Sequence, residues 1–175
     1  MVRILKSLFL GGRREVGMKD EEFFGRVEKI RQKMYSIAYS YFSSESMAVD
    51  MVDDAVYRGY LKKHTLKEPK FFETWMIRIL MNVCATAYKK TKKHRSFEEY
   101  IVEHEPSSEP ALDRLELKEA IAALPEDLRS IITLKYYADC STKDIADILK
   151  IPMGTVGTRV RKALDLLRIE LGGEL

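Results

Sequence analysis

The sequence predicts an all-α protein with two small helical domains joined by a flexible acidic linker. Apolar residues recur at steps of three and four through most of the 175 residues, which is the period of amphipathic helices. Glycine occurs 9 times and proline 5 times, too rarely for the many turns of an all-β fold. The apolar content of 46% and the net charge of +3 favour a folded chain over a disordered one.

Charge divides the chain into blocks that we interpret as domains. The net charge is +3 over residues 1–18, +6 over residues 19–95, −5 over residues 96–114 and −1 over residues 115–175. Two prolines and two serines between residues 105 and 110 interrupt any helical pattern inside the acidic block. We therefore predict an N-terminal tail, a first helical domain, a linker and a second helical domain, with these boundaries.

The start of the chain departs from the helical pattern. Residues 1–17 contain Gly11, Gly12 and Gly17 and precede a second methionine, Met18. We expect this segment to be a mobile tail or an upstream start, unnecessary for folding. It has neither a long apolar core nor a small-residue cleavage site, so it is a poor signal peptide. No apolar run approaches the roughly 20 residues that a membrane-spanning helix needs, and we expect no direct membrane insertion.

The first domain is predicted to be a bundle of three helices. The first helix begins at Asp20 as its N-cap, the second covers about residues 46–61, and the third covers about residues 70–90. The apolar stripes of the first and third helices are expected to form the core: Phe23, Val27, Ile30, Met34, Ile37, Tyr41, Phe72, Trp75, Met76, Ile79, Leu80, Val83 and Ala87. On the second helix a polar face lies opposite the apolar side: Asp50, Asp53, Asp54 and Tyr57.

The second domain is predicted to contain a helix-turn-helix motif. A short helix over residues 142–149 is followed by Pro152, which cannot continue it, and then by a longer helix over about residues 155–170. A short helix, a tight turn and a longer helix have the spacing of a DNA-binding helix-turn-helix. Hydroxyl and basic groups on such helices bond base edges and phosphates. The candidate residues are Thr142, Thr155, Thr158, Arg159, Arg161 and Lys162. A solvated helix face carries similar residues, and it is the turn spacing that favours DNA contact.

The residues for catalysis, cofactor binding or metal binding are not grouped in any familiar pattern. His64, His94 and His104 have no repeated spacing, and Cys84 and Cys140 form no ligand or disulfide pattern. We find neither a nucleophile–base pair nor a glycine-rich phosphate loop. We therefore predict a non-enzymatic protein without cofactor or metal. Two isolated cysteines favour a reduced, cytoplasmic location.

Several stretches of the second domain resemble the C-terminal domain of bacterial extracytoplasmic-function (ECF) sigma factors. They are residues 124–129, 134–137, 145–149 and 151–156. Two departures occur, because Lys150 replaces the glycine usual before the turn and Gly157 stands where the family often has Lys or Arg.

The first domain agrees with this resemblance independently. Residues 48–57 are similar to the helix with which these proteins bind core RNA polymerase, and residues 72–82 with 88–90 are similar to their promoter-melting helix. The resemblance extends over about residues 20–170. These three matches, namely the core-binding helix, the promoter-melting helix and the C-terminal domain, occur in the right order and spacing. Together they are far more specific than a helix-turn-helix alone.

The resemblance implies a set of binding residues in the first domain. One face would dock on the clamp helices of the largest polymerase subunit: Asp50, Val52, Asp53, Asp54 and Tyr57. The loop over residues 62–69 would hold a base flipped out of the minus-ten element. Contacts to this element would come from the loop and the third helix: Lys63, Lys67, Lys70, Arg78, Asn82, Lys89 and Lys90. The second domain would bind the minus-thirty-five element and the flap of the second-largest subunit.

As a whole, the resemblance implies a sigma factor that directs core RNA polymerase to promoters and has no catalysis of its own. Its implied partners are core polymerase, promoter DNA and an anti-sigma factor, which in many relatives is membrane-anchored. The alternative is a stand-alone helix-turn-helix regulator whose N-terminal bundle senses a ligand or dimerises. Binding to core polymerase separates the two hypotheses.

Overall fold

The computed structural model of the chain describes residues 18–95 and 110–172, and the side chains of residues 18–91 and 116–172. Residues 1–17 of the predicted tail and residues 96–109 of the predicted linker lie outside the described residues. Helices and turns account for the described backbone, which contains no strand, so the all-α prediction is confirmed. Two compact units are present, Met1–Cys84 and Ala85–Leu175, and their division lies inside a helix.

Three helices among the described residues build the first unit, and the last of them continues into the second. They are α1 (Asp20–Phe42), α2 (Glu45–Lys62) and α3 (Phe72–Arg95), and two short 3₁₀ turns, Lys63–Thr65 and Pro69–Phe71, connect α2 to α3. The α1 helix ends where Ser43 adopts a left-handed conformation, and the Ser44 side chain then caps α2 by accepting a hydrogen bond from the Met47 N–H.

The predicted N-cap of α1 is wrong by one residue. Lys19 occupies the N-cap position, and Asp20 is the first helical residue. The Asp20 carboxylate is used elsewhere, since it accepts hydrogen bonds from the side chains of Tyr60 and Lys63. An acid in the first turn is favourable in any case, because it complements the positive end of the helix dipole.

The core of the first unit follows the predicted apolar stripes. Phe23, Val27, Met34 and Ile37 of α1 are fully buried. They meet buried side chains of the other two helices: Ala48, Val52, Ala55, Val56, Phe72, Met76, Ile77, Leu80, Met81, Val83 and Cys84. Gly59 lies where α2 approaches α3, and a Cβ atom there would lie 2.5 Å from the Met76 sulfur, so the Met76 side chain would have to move. Three predicted core residues of α3, Trp75, Ile79 and Ala87, are only half-buried.

Four further helices lie in the described residues of the second unit. They are α4 (Pro110–Ala123), α5 (Glu126–Ile132), α6 (Thr142–Leu149) and α7 (Met153–Glu170), with a π-helical turn, Thr133–Tyr137, after α5. The α4 helix begins inside the predicted linker, at a proline that the first helical turn accommodates. Buried apolar residues of α4, α5 and α7 form one cluster: Ala120, Ile121, Leu124, Leu128, Ile132, Ala163 and Leu167.

The α6–turn–α7 segment has the predicted helix-turn-helix arrangement. Ser141 and Asp144 form a capping box, in which each residue's backbone N–H donates to the other's side chain at 3.1 Å. The bounds of α6 are the predicted ones, whereas α7 begins two residues earlier than predicted, at Met153. Lys150 ends α6 with a φ of 56°, the left-handed conformation that glycine adopts most easily.

Candidate polymerase-binding and nucleic-acid-binding surfaces

The outward face of α2 combines acidic and apolar side chains. Asp50 and Tyr57 are exposed and Asp54 is half-buried. Two apolar residues that the sequence analysis did not select, Val49 and Leu61, share this face, and Leu61 is 51% exposed. The signal for Leu61 was present in the sequence, because Leu61 follows Tyr57 at a step of four, which places both on one side of the helix. We call Val49, Asp50, Asp54, Tyr57 and Leu61 the α2 face.

Two predicted docking residues do not belong to the α2 face. Val52 is only 2% exposed and belongs to the core, and Asp53 is only 9% exposed. Arg31 of α1 approaches Asp53, with its Nη2 atom 3.9 Å from Asp53 Oδ1. Neither carboxylate oxygen of Asp53 accepts a hydrogen bond within the part of the chain that the structure describes. Their assignment to the exposed docking surface is therefore wrong, because Val52 packs inward and Asp53 lies at the edge of the buried side beneath α1.

The connection between α2 and α3 contains the candidate minus-ten residues, and we call residues 63–71 the minus-ten loop. Lys63 is only 9% exposed, forms an ion pair with Asp20 and lies 4.9 Å from the centre of the Tyr60 ring. The prediction that Lys63 contacts phosphate is contradicted by this burial. Its ammonium group faces α1, so Lys63 holds the start of the loop.

The outer part of the minus-ten loop is exposed. Lys67 and Lys70 face solvent, and the Lys70 ammonium lies 2.7 Å from a Glu68 carboxylate oxygen and 4.9 Å from the centre of the Phe71 ring. Phe71 is 47% exposed although it is aromatic. Phe71 is not among the predicted minus-ten residues, and its position just before the apolar stripe of α3 was the available signal.

The α3 helix carries the remaining candidates of this group. Asn82 is exposed and Arg78, one turn earlier, is half-buried. Lys89 and Lys90 are exposed in the part of α3 that belongs to the second unit. Within that unit the Lys89 ammonium lies 3.0 Å from a Glu126 carboxylate oxygen. This ion pair is solvent-accessible, and exposed pairs of this kind contribute only about 0–1 kcal/mol.

The start of α7 presents the helix-turn-helix candidates. Thr158, Arg161 and Lys162 are exposed, whereas Thr155 is half-buried. The Thr158 hydroxyl donates to the Gly154 carbonyl at 3.1 Å, and Arg159 lies at the side of the helix with its Nε atom 3.5 Å from Asp127 Oδ2.

Thr142 is separate from these α7 residues along the chain. It is the first residue of α6 and is half-buried. Residues 153–162 of α7 therefore offer exposed hydroxyl and cationic donors in the N-terminal part of the helix, the part of a recognition helix that reads base edges.

The buried thiol of Cys84 is chemically quiet. Burial raises its pKa from 9.0 to about 12, so the reactive thiolate is scarce at neutral pH. Within residues 18–95 and 110–172 no group of three or more His, Cys, Asp or Glu side chains is placed to hold a metal ion. The described helices also include none that is long and apolar enough to cross a membrane.

Family models decide the identity of these two units. The sigma-70 region 2 model matches residues 26–94, and the sigma-70 region 4 model matches residues 114–167. The chain belongs to the ECF sigma factors of the sigma-70 family. Region 2 contains the α2 face and the minus-ten loop, and region 4 contains the helix-turn-helix.

Individual sigma factors agree with this assignment along nearly the whole chain. The RNA polymerase sigma factor SigV of Bacillus subtilis is 29% identical over 145 residues, which are 82% of this chain and 87% of SigV. The ECF RNA polymerase sigma factor SigW of the same organism is 27% identical over 175 residues, covering 90% of this chain and 94% of SigW. The ECF RNA polymerase sigma-E factor of Escherichia coli is 29% identical over 158 residues, 81% of this chain and 82% of that protein.

Solved structures share the fold. The sigma factor RpoE of Bartonella quintana, in complex with the anti-sigma factor NepR, aligns with a TM-score of 0.69 at 23% identity and covers 89% of this chain and 99% of RpoE. CnrH, in complex with the cytosolic domain of CnrY, also aligns with a TM-score of 0.69, at 18% identity, covering 90% of this chain and 92% of CnrH. The sequence-based family resemblance is confirmed, and the region 2 match favours a sigma factor over the stand-alone regulator.

Proposed function

We propose that this ECF sigma factor binds core RNA polymerase in the cytoplasm, directs it to promoters and helps to open the minus-ten element. The observation that carries the proposal is that one chain contains region 2 and region 4 in order, with a helix-turn-helix in region 4. Region 2 alone would leave the minus-thirty-five contact unexplained, and region 4 alone would fit many other DNA-binding proteins.

The α2 face is the proposed docking surface for the clamp helices of the largest polymerase subunit. Tyr57 and Leu61 lie one turn apart and supply exposed apolar area, which is what the desolvated centre of an interface needs. Asp50 and Asp54 lie beside them and would meet the basic part of the clamp helices. Charges at an interface rim mainly set the association rate and its salt dependence. Asp54 also receives two hydrogen bonds from Arg58, at 2.8 and 2.9 Å, which fix its carboxylate.

The minus-ten loop is the proposed capture site for a flipped base. Extruding a base from the stack costs a few kcal/mol. Stacking on an aromatic ring returns about 1–3 kcal/mol per base, and Phe71 exposes such a ring. Lys67 and Lys70 would hold the adjoining phosphates, because both side chains are exposed and the Lys70 ammonium lies 4.9 Å from the centre of that ring. Lys70 would exchange its exposed Glu68 partner for phosphate.

Residues of α3 are proposed to extend this contact along the DNA. The exposed amide of Asn82 can read a base edge, and Arg78 can contact a phosphate one turn away. Lys89 and Lys90 would track the backbone without reading sequence. The ion pair of Lys89 with Glu126 is weak enough for a phosphate to replace the carboxylate.

Region 4 is proposed to bind the minus-thirty-five element. Arg161 and Lys162 extend from the exposed side of α7, and Thr155 and Thr158 lie nearer its N-terminus. Arg159 forms a long, exposed ion pair with Asp127 that a phosphate oxygen can replace. Thr142 at the start of α6 would add a backbone contact. The same unit would bind the flap of the second-largest polymerase subunit.

An anti-sigma factor is the proposed regulatory partner. The sigma factor RpoE of Bartonella quintana, which shares this fold, was solved in complex with the anti-sigma factor NepR. We propose a regulator of the same class here, either soluble or attached to the membrane through its own segment.

Reconstitution with core polymerase tests the proposed function. The full chain and core RNA polymerase from the same bacterium are mixed, and run-off transcription is measured across a library of genomic promoters. We expect a stable complex with core polymerase and transcripts from a small promoter set. We expect the free protein to bind promoter DNA poorly, because its near-neutral region 4 has little charge for binding duplex DNA alone. Tight promoter binding by the free protein, together with no binding to core polymerase, would instead identify a stand-alone regulator.

A further inference from the structure

We infer that α1 positions the minus-ten loop. Asp20 of α1 holds the beginning of the loop, and Arg26 of α1 holds its end. Both residues are positioning residues that need not touch DNA. The inference rests on the base-capture role proposed above for this loop, and it adds α1, on which no binding residue was predicted.

The first tether joins the first turn of α1 to Lys63. The Asp20 carboxylate accepts a hydrogen bond from the Tyr60 hydroxyl at 2.9 Å and another from the Lys63 ammonium. Tyr60 is itself held between aromatic rings, stacked on Phe24 at a centroid distance of 5.5 Å and edge-on to Phe23 at 5.7 Å. Charge-assisted hydrogen bonds to a partly buried carboxylate are among the stronger polar contacts in proteins. The first residue of the loop is therefore fixed to the bundle.

The second tether joins α1 to the end of the loop. The Arg26 Nη1 atom donates to the Pro69 carbonyl at 3.1 Å. Glu22, one turn earlier, accepts from Arg26 Nε at 3.0 Å and thereby orients the guanidinium group. The same group lies 6.0 Å from the centre of the Phe72 ring. Because the contact to Pro69 is made to the backbone, it fixes the path of the chain immediately before Phe71.

Local hydrogen bonds shape each turn between the two tethers. The Thr65 hydroxyl donates to the Lys62 carbonyl at 2.7 Å, the Leu66 N–H to the Lys63 carbonyl at 3.2 Å, and the Phe71 N–H to the Glu68 carbonyl at 3.1 Å. Such bonds define the shape of a turn but not its place on the protein. The tethers supply that place, so the entropy of ordering the loop is lost on folding and not on DNA binding.

The side chains between the tethers contribute little to the core. Seven residues of the loop are exposed: His64, Thr65, Lys67, Glu68, Pro69, Lys70 and Phe71. A segment with so little buried side-chain area needs no two-ended tether for the stability of the bundle. A base that enters between the loop and α3 needs Phe71 and Lys67 at a fixed distance from α3. Small displacements of the contacting groups would strongly reduce their interaction with the base.

The test measures binding of holoenzyme to fork-junction DNA. The variants are Asp20→Asn and Arg26→Gln in α1 and Tyr60→Phe in α2. The matched controls are Glu21→Gln and Lys29→Gln, which change exposed residues of α1. The probe is a fork whose single-stranded minus-ten segment comes from a promoter found by run-off transcription. A second set of forks carries an abasic site at each minus-ten position in turn. Thermal melting and core-polymerase binding are measured for each variant.

We expect the three variants to bind the intact fork about tenfold more weakly than the parent, the loss expected when one stacked base is released. On the fork that lacks the captured base, parent and variants should bind equally. The control variants should match the parent on every fork. Tyr60→Phe keeps the ring packing and removes one hydroxyl, so it preserves the test if Asp20→Asn fails to fold.

Two results overturn the inference. In one, the variants bind the intact fork as tightly as Glu21→Gln does. In the other, they are weakened equally on intact and abasic forks, which would indicate a general structural defect. If the parent itself loses no affinity at any abasic position, base capture by the loop is absent and the proposed function of the loop fails. If the parent loses affinity but the variants behave like the parent, only the positioning inference fails.

Discussion

On α7 three candidate DNA-contacting residues, Thr158, Arg161 and Lys162, are exposed where the helical period places them, whereas on α2 two of the candidate docking residues are buried. Both helices have 18 residues and both were read with the same period. The exposed side of α7 follows from local features, namely the turn at residues 150–152 and the apolar stripe of Val156, Ala163 and Leu167. On α2 exposure also depends on a neighbour, because α1 approaches the edge of the apolar side and encloses Asp53. The helical period therefore predicts exposure more reliably for residues at the centre of a helix face than for residues at its edges.

The largest expected effect tests the burial of Asp53. Asp53→Lys should reduce the free energy of unfolding by about 3–5 kcal/mol, since it places a second cation next to Arg31 in a buried site. Asp54→Lys, one residue further along α2, should change it by no more than about 0.5 kcal/mol, as surface substitutions usually do. Chemical denaturation of both variants measures the difference. Equal stabilities would mean that Asp53 is on the surface in solution.

The next effect tests the α2 face itself. Tyr57→Ala combined with Leu61→Ala should weaken core-polymerase binding by about 2 kcal/mol, or about 30-fold, while the fold is kept, because exposed aromatic and apolar residues are typical interface hot spots. Val52→Ala is the control. It removes buried methyl groups from the same helix and should lower stability without changing affinity at temperatures where the protein is folded.

Competition binding to fluorescent core polymerase gives both affinities. The docking assignment is wrong if Val52→Ala weakens binding and the Tyr57 and Leu61 variant does not. Asp50→Lys adds a test of the charged part of the face. It should slow association, and the defect should shrink as the salt concentration rises.

A comparable but more position-dependent effect is expected on the DNA side. In the holoenzyme, Arg161→Ala and Lys162→Ala should reduce use of the minus-thirty-five element, and Asn82→Ala should impair the minus-ten step. Loss of a base contact would cost about 1–3 kcal/mol at one base pair. Loss of a phosphate contact would weaken all sequences similarly and lower the salt slope by about one.

Transcription from promoters mutated in each element, at two salt concentrations, separates these cases. The helix-turn-helix assignment would be contradicted by an Arg161→Ala variant that responds to minus-ten changes and ignores minus-thirty-five changes. Thr158→Ala is a useful companion, since its hydroxyl already donates to Gly154 and a base contact would require that bond to rotate away.

Much of the fold could be predicted because its signals are local. The bounds of α6 follow from the Ser141–Asp144 capping box and Pro152, and the core of α1 follows from steps of three and four between apolar residues. The family also could be predicted from short motifs, each of which lies within one helix or across one helix end. These features need no knowledge of what packs against what.

The remaining features depend on contacts between distant residues. Lys63 reads as a surface cation in the sequence, but Asp20 lies 43 residues away in the chain and pairs with it. Arg26 likewise gave no signal, because its contact is with the backbone of Pro69. Charged residues near the edge of an apolar side are therefore the ones whose roles sequence patterns assign least well.

The smallest expected effect concerns the turn that makes α6–α7 predictable. Lys150 holds the left-handed conformation that ends α6, although a side chain with a Cβ atom is strained there. Lys150→Gly should raise the free energy of unfolding by about 0.5–1 kcal/mol, because glycine relieves that strain at a helix end. Lys143→Gly, at an exposed position inside α6, should lower it by about 0.5–1 kcal/mol. Thermal and urea unfolding of the two variants gives opposite signs if the turn has the observed backbone. A destabilised Lys150→Gly variant would show that the lysine side chain stabilises the turn more than its strained backbone costs.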